Sequence, residues 1–448
     1  MVSMGRIGDI FRPHRRVLRR LSKVEGALVE RHVRLENLVE SRLNSLYGLI
    51  DDRLRRLEQI SGGSVRRPLA DRPITALFLI HNMAAWDSVA DVISAMKQDP
   101  AFDPVVASID RKFPGESGFG HEDETHLRLE ELGIRHIRIR ELDREAVPDL
   151  MRAIGPDILF RQSHWDADVP PEFSSQNLSF TRLCYISYEM MNLGDHRHGG
   201  RDFVLDDDFH RRVWRVFCAN SAEKELYRSN ALLGGTNVVV TGHPKMARLT
   251  RGPEWWPSPR SNLKRIIWSP HHTLGKFGFG LFPACRDDML AWLRGGEVEI
   301  VLAFHPALPS MADATLGQGH FQTFLDEWTA LPNGYVFSGG DYGPLFRGSD
   351  ALVTDGISWL IEYQLMRKPL IYIEREGHDP FNPVGEIARS GFVTVRSAAE
   401  AREVAERIFA TGDDPAREGR ADVLAKLIPP GDPVSNILEA LRASFGLR

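Results

Sequence analysis

Residues 349–374, SDALVTDGISWLIEYQLMRKPLIYIE, decide the fold. Residues 351–353 form a short apolar run and residues 370–373 form another. Between them, Leu360, Ile361 and Leu365 fall on one side of a helical repeat over 358–366. Strand, turn, helix and strand in that order make the unit of a parallel sheet. The turn Thr354-Asp355-Gly356-Ile357-Ser358 brings hydroxyls, a capping acid and a permissive glycine to a helix start. Free N–H groups and the helix dipole suit such a place to a phosphate. Many α/β proteins cap a helix this way and bind nothing there, so the turn alone leaves the site open.

The same alternation fills most of the chain. Strands are predicted at 74–80, 105–109, 134–139, 157–160, 183–187, 213–218 and 238–241, with helices at 86–97, 122–132, 144–154 and 222–229. Pro253, Pro257 and Pro259, with Trp255 and Trp256 among them, mark a joint. A second series follows, with strands at 265–268, 298–303, 335–337 and 392–395 around the opening unit and helices at 284–293, 321–328 and 398–410. Pro429-Pro430 precedes a last helix at 434–444. The expected fold is α/β: two doubly wound, Rossmann-like domains facing a cleft, 68–252 on the acceptor side and 253–430 on the nucleotide-donor side, with a C-terminal helix in 431–448. No G-x-G-x-x-G follows the first strand, which counts against a dinucleotide cofactor there.

Residues 1–67 stand apart. A basic cluster (Arg12, Arg15, Arg16, Arg19, Arg20, Lys23) precedes Leu21, Val24, Leu28, Leu35 and Leu38, which follow a seven-residue a/d pattern. After a skip, Leu43, Leu46, Ile50, Leu57 and Ile60 resume it. The pattern predicts one or two long helices forming a coiled-coil-like arm for self-association. An amphipathic helix folded on its own body, or a basic helix touching anionic lipid, are the other readings. Ser61-Gly62-Gly63-Ser64 reads as a flexible joint.

The totals exclude several classes. With 448 residues the chain exceeds one ordinary core. Hydrophobic content of 42% and charged content of 26% are ordinary for a globular protein. A net charge of -5 gives no case for nucleic acid. No apolar run approaches the roughly 20 residues of a membrane span, and no signal-peptide core opens the chain. A cytoplasmic protein is expected, with peripheral contact at the inner face of the membrane left open. Cys184, Cys218 and Cys285 are scattered, against a disulfide framework or a cysteine zinc site.

Chemistry collects at strand ends. His271 and His272 follow the strand at 265–268, and His305 follows the one at 298–303. Both loops share the carboxyl edge that carries Thr354, Asp355, Gly356 and Ser358, and ligands sit at that edge. Histidines and hydroxyls there can hold a pyrophosphate without metal. Metal ligation is disfavoured, since adjacent histidines point different ways and no acid stands at useful spacing. Glu362, four residues after Ser358, shares its helix face and could take ribose hydroxyls or stand exposed. Gly242-His243-Pro244-Lys245 closes the cleft floor or is simply a turn. In the first domain a general base is sought among His81, Asn82, His164, Asp166, Tyr188, Glu189, His196 and His198. His81 and Glu189 are the preferred pair.

SPHHTL, AFHPAL and the 349–374 block together resemble the CDP-glycerol glycerophosphotransferase family, GT-B enzymes that build teichoic-acid-type and other polyol-phosphate polymers. The family's Asp-x-x-x-Thr-Asp-Tyr-Ser-Ser block with a following acid falls on Asp350, Thr354, Asp355, Gly356, Ile357, Ser358 and Glu362. Its His-Pro falls on His305-Pro306, and its Gly-Tyr-Pro-Arg on Gly242-His243-Pro244-Lys245. The similarity covers roughly 183–381, a little under half the chain. Gly356 and Ile357 replace the Tyr and first Ser, Ala303 stands where a basic residue is common, and Ala247 where Asp is usual. The family's acceptor-side His-Gly has no counterpart: Ser187-Tyr188-Glu189 occupies its place. The resemblance implies a CDP-linked polyol donor, a glycan hydroxyl as acceptor and no metal or other cofactor. It also implies Thr354, Ser358, His305 and His271 on the diphosphate. A sugar-nucleotide glycosyltransferase on the same fold and a non-catalytic scaffold assembled through the arm are the alternatives. The expected partners are the donor, the glycan acceptor and a second copy of the chain.

Overall fold

The computed structural model describes residues 12–65, 72–113, 116–198 and 201–447. It separates into two compact units, Met1–Arg67 and Pro68–Arg448. The first is a single helix, Arg12–Val65, of 54 residues. Its apolar seam is uncovered: Leu21, Val24, Leu28, Leu35, Leu38, Leu43, Leu46 and Ile50 are each about half exposed or more. The Ser61–Ser64 stretch, expected as a flexible joint, continues this helix. Extending a formed helix through two glycines costs only about 1 kcal/mol each relative to alanine. The side chains of Arg12 to Arg20, Leu57 and Ile60 lie outside the described residues, as does the boundary at 67–68.

The larger unit holds two parallel sheets. The strands of its first half are β1 (Ile74–Ile80), β2 (Phe102–Ile109), β3 (Ile137–Ile139), β4 (Ile158–Arg161), β5 (Arg182–Ile186), the short hairpin β6 (Arg197–His198) and β7 (Arg201–Asp202), β8 (Arg215–Cys218) and β9 (Val238–Val240). Seven of them make one sheet in the order β3-β2-β1-β4-β5-β8-β9. The second half supplies β10 (Lys264–Ser269), β11 (Val298–Leu302), β12 (Gly334–Val336), β13 (Ala351–Thr354), β14 (Leu370–Ile373) and β15 (Val393–Val395). These form a six-stranded sheet in the order β12-β11-β10-β13-β14-β15.

Both faces of each sheet are covered, which is why its strands read as unbroken apolar runs. Side chains alternate across the pleat. In β1, Phe78 and Ile80 enter one core while Leu77 and Leu79 enter another. In β10, Ile267 joins the core that holds Leu77, and Ile266 and Trp268 join a third. The proline-rich joint lies where the chain passes from one sheet to the other, between β9 and β10.

The last helix, Pro433–Phe445, returns to the first sheet. Ile437 and Leu441 are fully buried against the Phe78 face. Each contributes roughly 1.5–3 kcal/mol by leaving water. The last helix therefore packs into the core of the half that the chain left near Pro253. Further ties join the halves at the start of the helix Pro383–Ala388. Asn382 Nδ2 donates to Asn192 O at 2.8 Å and Gly194 O at 3.1 Å, and its Oδ1 caps the helix at Val384 N.

Element boundaries differ from expectation where local geometry intervenes. The helix expected at 86–97 starts as a 3-10 turn, Met83–Ser88, capped by Asn82, whose side chain accepts from Ala84 N at 3.0 Å. The helix expected at 358–366 is one α-turn, Trp359–Glu362, continued as a 3-10 turn, Tyr363–Met366. Arg367, at φ 56°, ends it before Pro369. A helix this short carries little dipole, which weakens the anion-binding role expected of its start.

Candidate functional site

In the second sheet the strand order reverses between β10 and β13, whose neighbours lead in opposite directions. Loops that leave a parallel sheet at such a reversal diverge and open a crevice at the carboxyl edge. The structure has a cavity of about 650 Å³ there, lined from both halves of the unit. His271, His272, His305, Ile357 and Ser358 come from the second half; His164, Ser187, Tyr188, Glu189, His196, Glu223 and Tyr227 come from the first.

Three residues of the 354–358 turn frame this cavity without lining it. Thr354 Oγ1 donates to Ser269 O at 2.7 Å and accepts from Gly356 N at 2.9 Å. Asp355 is buried; one carboxylate oxygen accepts from His271 N at 2.6 Å and the other from Leu281 N. Desolvation pushes its carboxyl up to about 7, against the pull of those N–H groups. A Cβ at Gly356 would stand 3.2 Å from His271 Cδ2, so a larger residue there has to displace the ring. The turn thus fixes the loop at 270–281. Ser358, by contrast, is exposed at the lip of the cavity.

The histidines stack. His271 and His272 have ring centroids 4.6 Å apart, and His272 and His305 are 4.1 Å apart with planes 23° from parallel. His305 Nδ1 accepts from Ala307 N at 3.1 Å, which places a ring proton on Nε2. His271 Nδ1 meets Thr273 Oγ1 at 2.7 Å and Thr273 N at 3.3 Å; Nδ1 as acceptor satisfies both and leaves Nε2–H as a donor. His272 Nδ1 is buried with no hydrogen-bond partner among the described residues. Desolvation, with the neighbouring imidazoles, holds His271 near 3 and His272 near 4, and burial also lowers His305. All three are neutral donors at pH 7.

Glu189 keeps a surface on the cavity yet lies deep within it. Desolvation raises its pKa to about 7; the Lys245 cation opposes this, Glu362 adds to it and a hydrogen bond from Tyr188 opposes it. Glu223 stands nearby with a pKa also about 7, raised by desolvation and by Glu189 and opposed by the bond from Ala219 N at 2.8 Å. Sequence reasoning passed over Glu223. Asn220 Oδ1 accepts from Glu223 N at 2.9 Å while Glu223 reaches back to Ala219 N, so it reads as an ordinary capping residue.

Other expected residues go elsewhere. His81 is buried at the end of β1, is not among the cavity residues, and is held near 3 by desolvation and the Arg161 and Arg111 charges. The expected base role does not fit that placement. Glu362 is also buried away from the lining; Tyr342 OH donates to its Oε2 at 2.6 Å and Lys245 Nζ is 3.6 Å from its Oε1. Its carboxylate is thereby taken and does not face a ribose. Gly242 adopts φ 81°, where the C-terminal helix allows no Cβ: Pro433 Cγ would be 2.9 Å away. Pro244 begins the helix Lys245–Thr250, and His243 Nε2 donates to Ser187 O at 2.8 Å, tying the 242–245 turn to the Glu189 loop. Asp166 is bound to Arg161 and Ser175, while His164 lines the cavity with Nδ1 3.2 Å from Tyr185 OH. The His198 side chain lies outside the described residues.

No protein-family model matches the chain, and no curated protein matches its sequence. Solved structures do match its shape. An S. aureus MnaA–UDP co-structure superposes with a TM-score of 0.55 at 12% identity, over 84% of this chain and 98% of that one. The UDP-GlcNAc 2-epimerase from Neisseria meningitidis bound to UDP-GlcNAc gives 0.53 at 12% identity, over 83% and 100%. The wall teichoic acid polymerase TagF gives 0.52 at 12% identity, over 89% and 98%. At these identities the likeness is one of architecture: two doubly wound sheets facing a cleft, the GT-B fold.

Proposed function

We propose that the protein is a transferase that takes a nucleotide-diphosphate-linked donor in this cleft and passes a polyol-phosphate group, glycerol-phosphate-like, from a CDP carrier to a glycan or polymer hydroxyl. The observation that carries the reading is the joint lining of one cavity by stacked neutral histidines and by a carboxyl group poised near pH 7. The motif resemblance supplies the donor class, and the GT-B architecture is compatible with it.

In this reading His271 and His305 donate Nε2–H bonds to the diphosphate, with Ser358 beside them. Ionised Glu189 accepts the proton of the acceptor hydroxyl as that oxygen bonds to the distal phosphorus. The bond from that phosphorus to the bridging oxygen breaks, and CMP leaves with the electron pair. A general base works best with a pKa near the working pH, which desolvation gives Glu189 and would not give an exposed glutamate. The chemistry rests on positioning and hydrogen-bond donation, with no metal assigned to the cleft.

The test is incubation of the full chain with CDP-glycerol, CDP-ribitol, UDP-sugars and GDP-sugars, each with and without glycan acceptor. CMP release from a CDP-polyol supports the proposal. UDP or GDP release assigns the protein to glycosyl transfer instead, and binding without turnover of any donor leaves the scaffold reading.

The 54-residue helix is assigned to self-association, because its heptad seam is apolar and uncovered. A second copy of the same seam is the occupant that matches its length and spacing.

A further inference from the structure

Far along the first sheet from the cleft residues, the edge strand β3 is preceded by a compact histidine cluster. The helix Glu122–Glu131 carries His126 and Glu130 one turn apart, on one face. The chain then reverses through Gly133, at φ 67°, a conformation that favours glycine. Ile134 N donates to Leu129 O at 2.9 Å, which folds the return tightly under the helix end. His136 follows directly, one residue before β3.

One potential ligand atom from each of His126, Glu130 and His136 lies within 4.8 Å of the other two. His126 Nδ1 and His136 Nε2 are 2.9 Å apart. His136 Nδ1 lies 2.8 Å from Ile134 O, an acceptor only, so the ring proton sits on Nδ1 and Nε2 presents a lone pair to the cluster. A backbone carbonyl that fixes the tautomer of a histidine ligand is the usual outer support of a metal site. Among the described residues no ion pair engages the Glu130 carboxylate. In a tetrahedral zinc site, ligand atoms about 2.0–2.1 Å from the ion are roughly 3.3 Å from one another. Opening the imidazole pair by a few tenths of an ångström reaches that spacing.

We propose that His126, Glu130 and His136 form a binding site for a divalent transition metal of zinc type, with water in the fourth position. Two imidazoles and one carboxylate select such an ion over the hard cations, which prefer oxygen. On binding, the His126 proton moves to Nε2 and both rings aim a lone pair at the metal. The ion staples the end of the helix to the residue before the edge strand, three ligands within eleven positions. This site is separate from the cleft and takes no part in the transfer.

The probe is zinc itself. The full chain is freed of metal with a chelator and titrated with zinc chloride against a chromophoric indicator. One equivalent is expected, weakened about tenfold or more in His126→Ala and in His136→Ala, since each removes one of three protein ligands. His305→Ala is expected to keep that equivalent, which distinguishes the site from the stacked histidines of the cleft. Zinc is also expected to raise the unfolding temperature of the wild type and not of the double variant His126→Ala/His136→Ala. The proposal is overturned if no equivalent binds, or if binding survives His136→Ala and is lost in His305→Ala. Donor turnover is read separately, so failure of the zinc site leaves the cleft assignment untouched.

Discussion

Lys245 Nζ stands 3.6 Å from Glu362 Oε1, and both side chains are almost completely buried. Tyr342 joins them, accepting from the lysine at 3.1 Å and donating to the glutamate at 2.6 Å. The pair links the first helix after β9 to the helix after β13, so it crosses between the two halves. Lys245 also draws down the pKa of Glu189, which Glu362 pushes up. One buried cation thus balances two carboxyl groups.

Lys245→Met leaves the Glu362 carboxylate buried without its cation. Breaking a buried pair from one side costs on the order of 3–5 kcal/mol, whereas replacing both members by apolar residues is often neutral. Urea unfolding is expected to show a large loss for Lys245→Met and substantial recovery in Lys245→Met/Glu362→Leu. Equal losses in the two variants would refute the coupling.

Glu189 has a folded pKa raised above its ordinary value, so its burial is best tolerated when protonated. The stability it contributes is present below about pH 4.5 and is lost as pH rises through about 7. Glu189→Gln should therefore gain on the wild type at pH 8 and lose that advantage at pH 4.5. Because cavity water screens the group, the gain is on the order of 1–2 kcal/mol. Unfolding midpoints at the two pH values check the sign. In turnover assays the same variant should fall about 100-fold to 10,000-fold.

The cleft histidines are held neutral in the free protein, His271 near 3 and His272 near 4. A bound diphosphate favours their protonated forms, so donor binding should take up protons as pH falls toward those values, while at pH 7 the rings bind as neutral donors. Calorimetry in two buffers of different ionisation heat measures the uptake. His305→Ala and His271→Ala should each weaken donor binding about 10-fold to 150-fold, as expected for loss of a hydrogen bond to a charged group worth roughly 1.5–3 kcal/mol. Unchanged donor affinity in both variants would place the anion elsewhere.

Removing residues 1–67 should lower the mass by sedimentation to that of one chain while nucleotide binding is kept. An unchanged mass would move the assembly contact to the larger unit.

The alternation of apolar runs with helical spacing determined the two doubly wound sheets, because a strand covered on both faces is apolar along most of its length. That is a local property, visible in 74–80 or 370–373 without any partner. The same reading placed His271, His272 and His305 correctly at one edge, since a parallel sheet puts every strand's carboxyl end on the same side. What sequence could not settle was the use of each polar group there. Thr354, Asp355 and Glu362 carry phosphate- and ribose-compatible chemistry, yet hydrogen bonds to Ser269, His271 and Tyr342 absorb it. Glu223 looked like a cap and also lines the cavity. Glu189 acquires its pKa from burial, from Lys245 and Glu362, and from the Tyr188 hydrogen bond. Strand patterning is written in neighbours along the chain; desolvation and pairing depend on atoms brought together across it, and only the tertiary structure decides those.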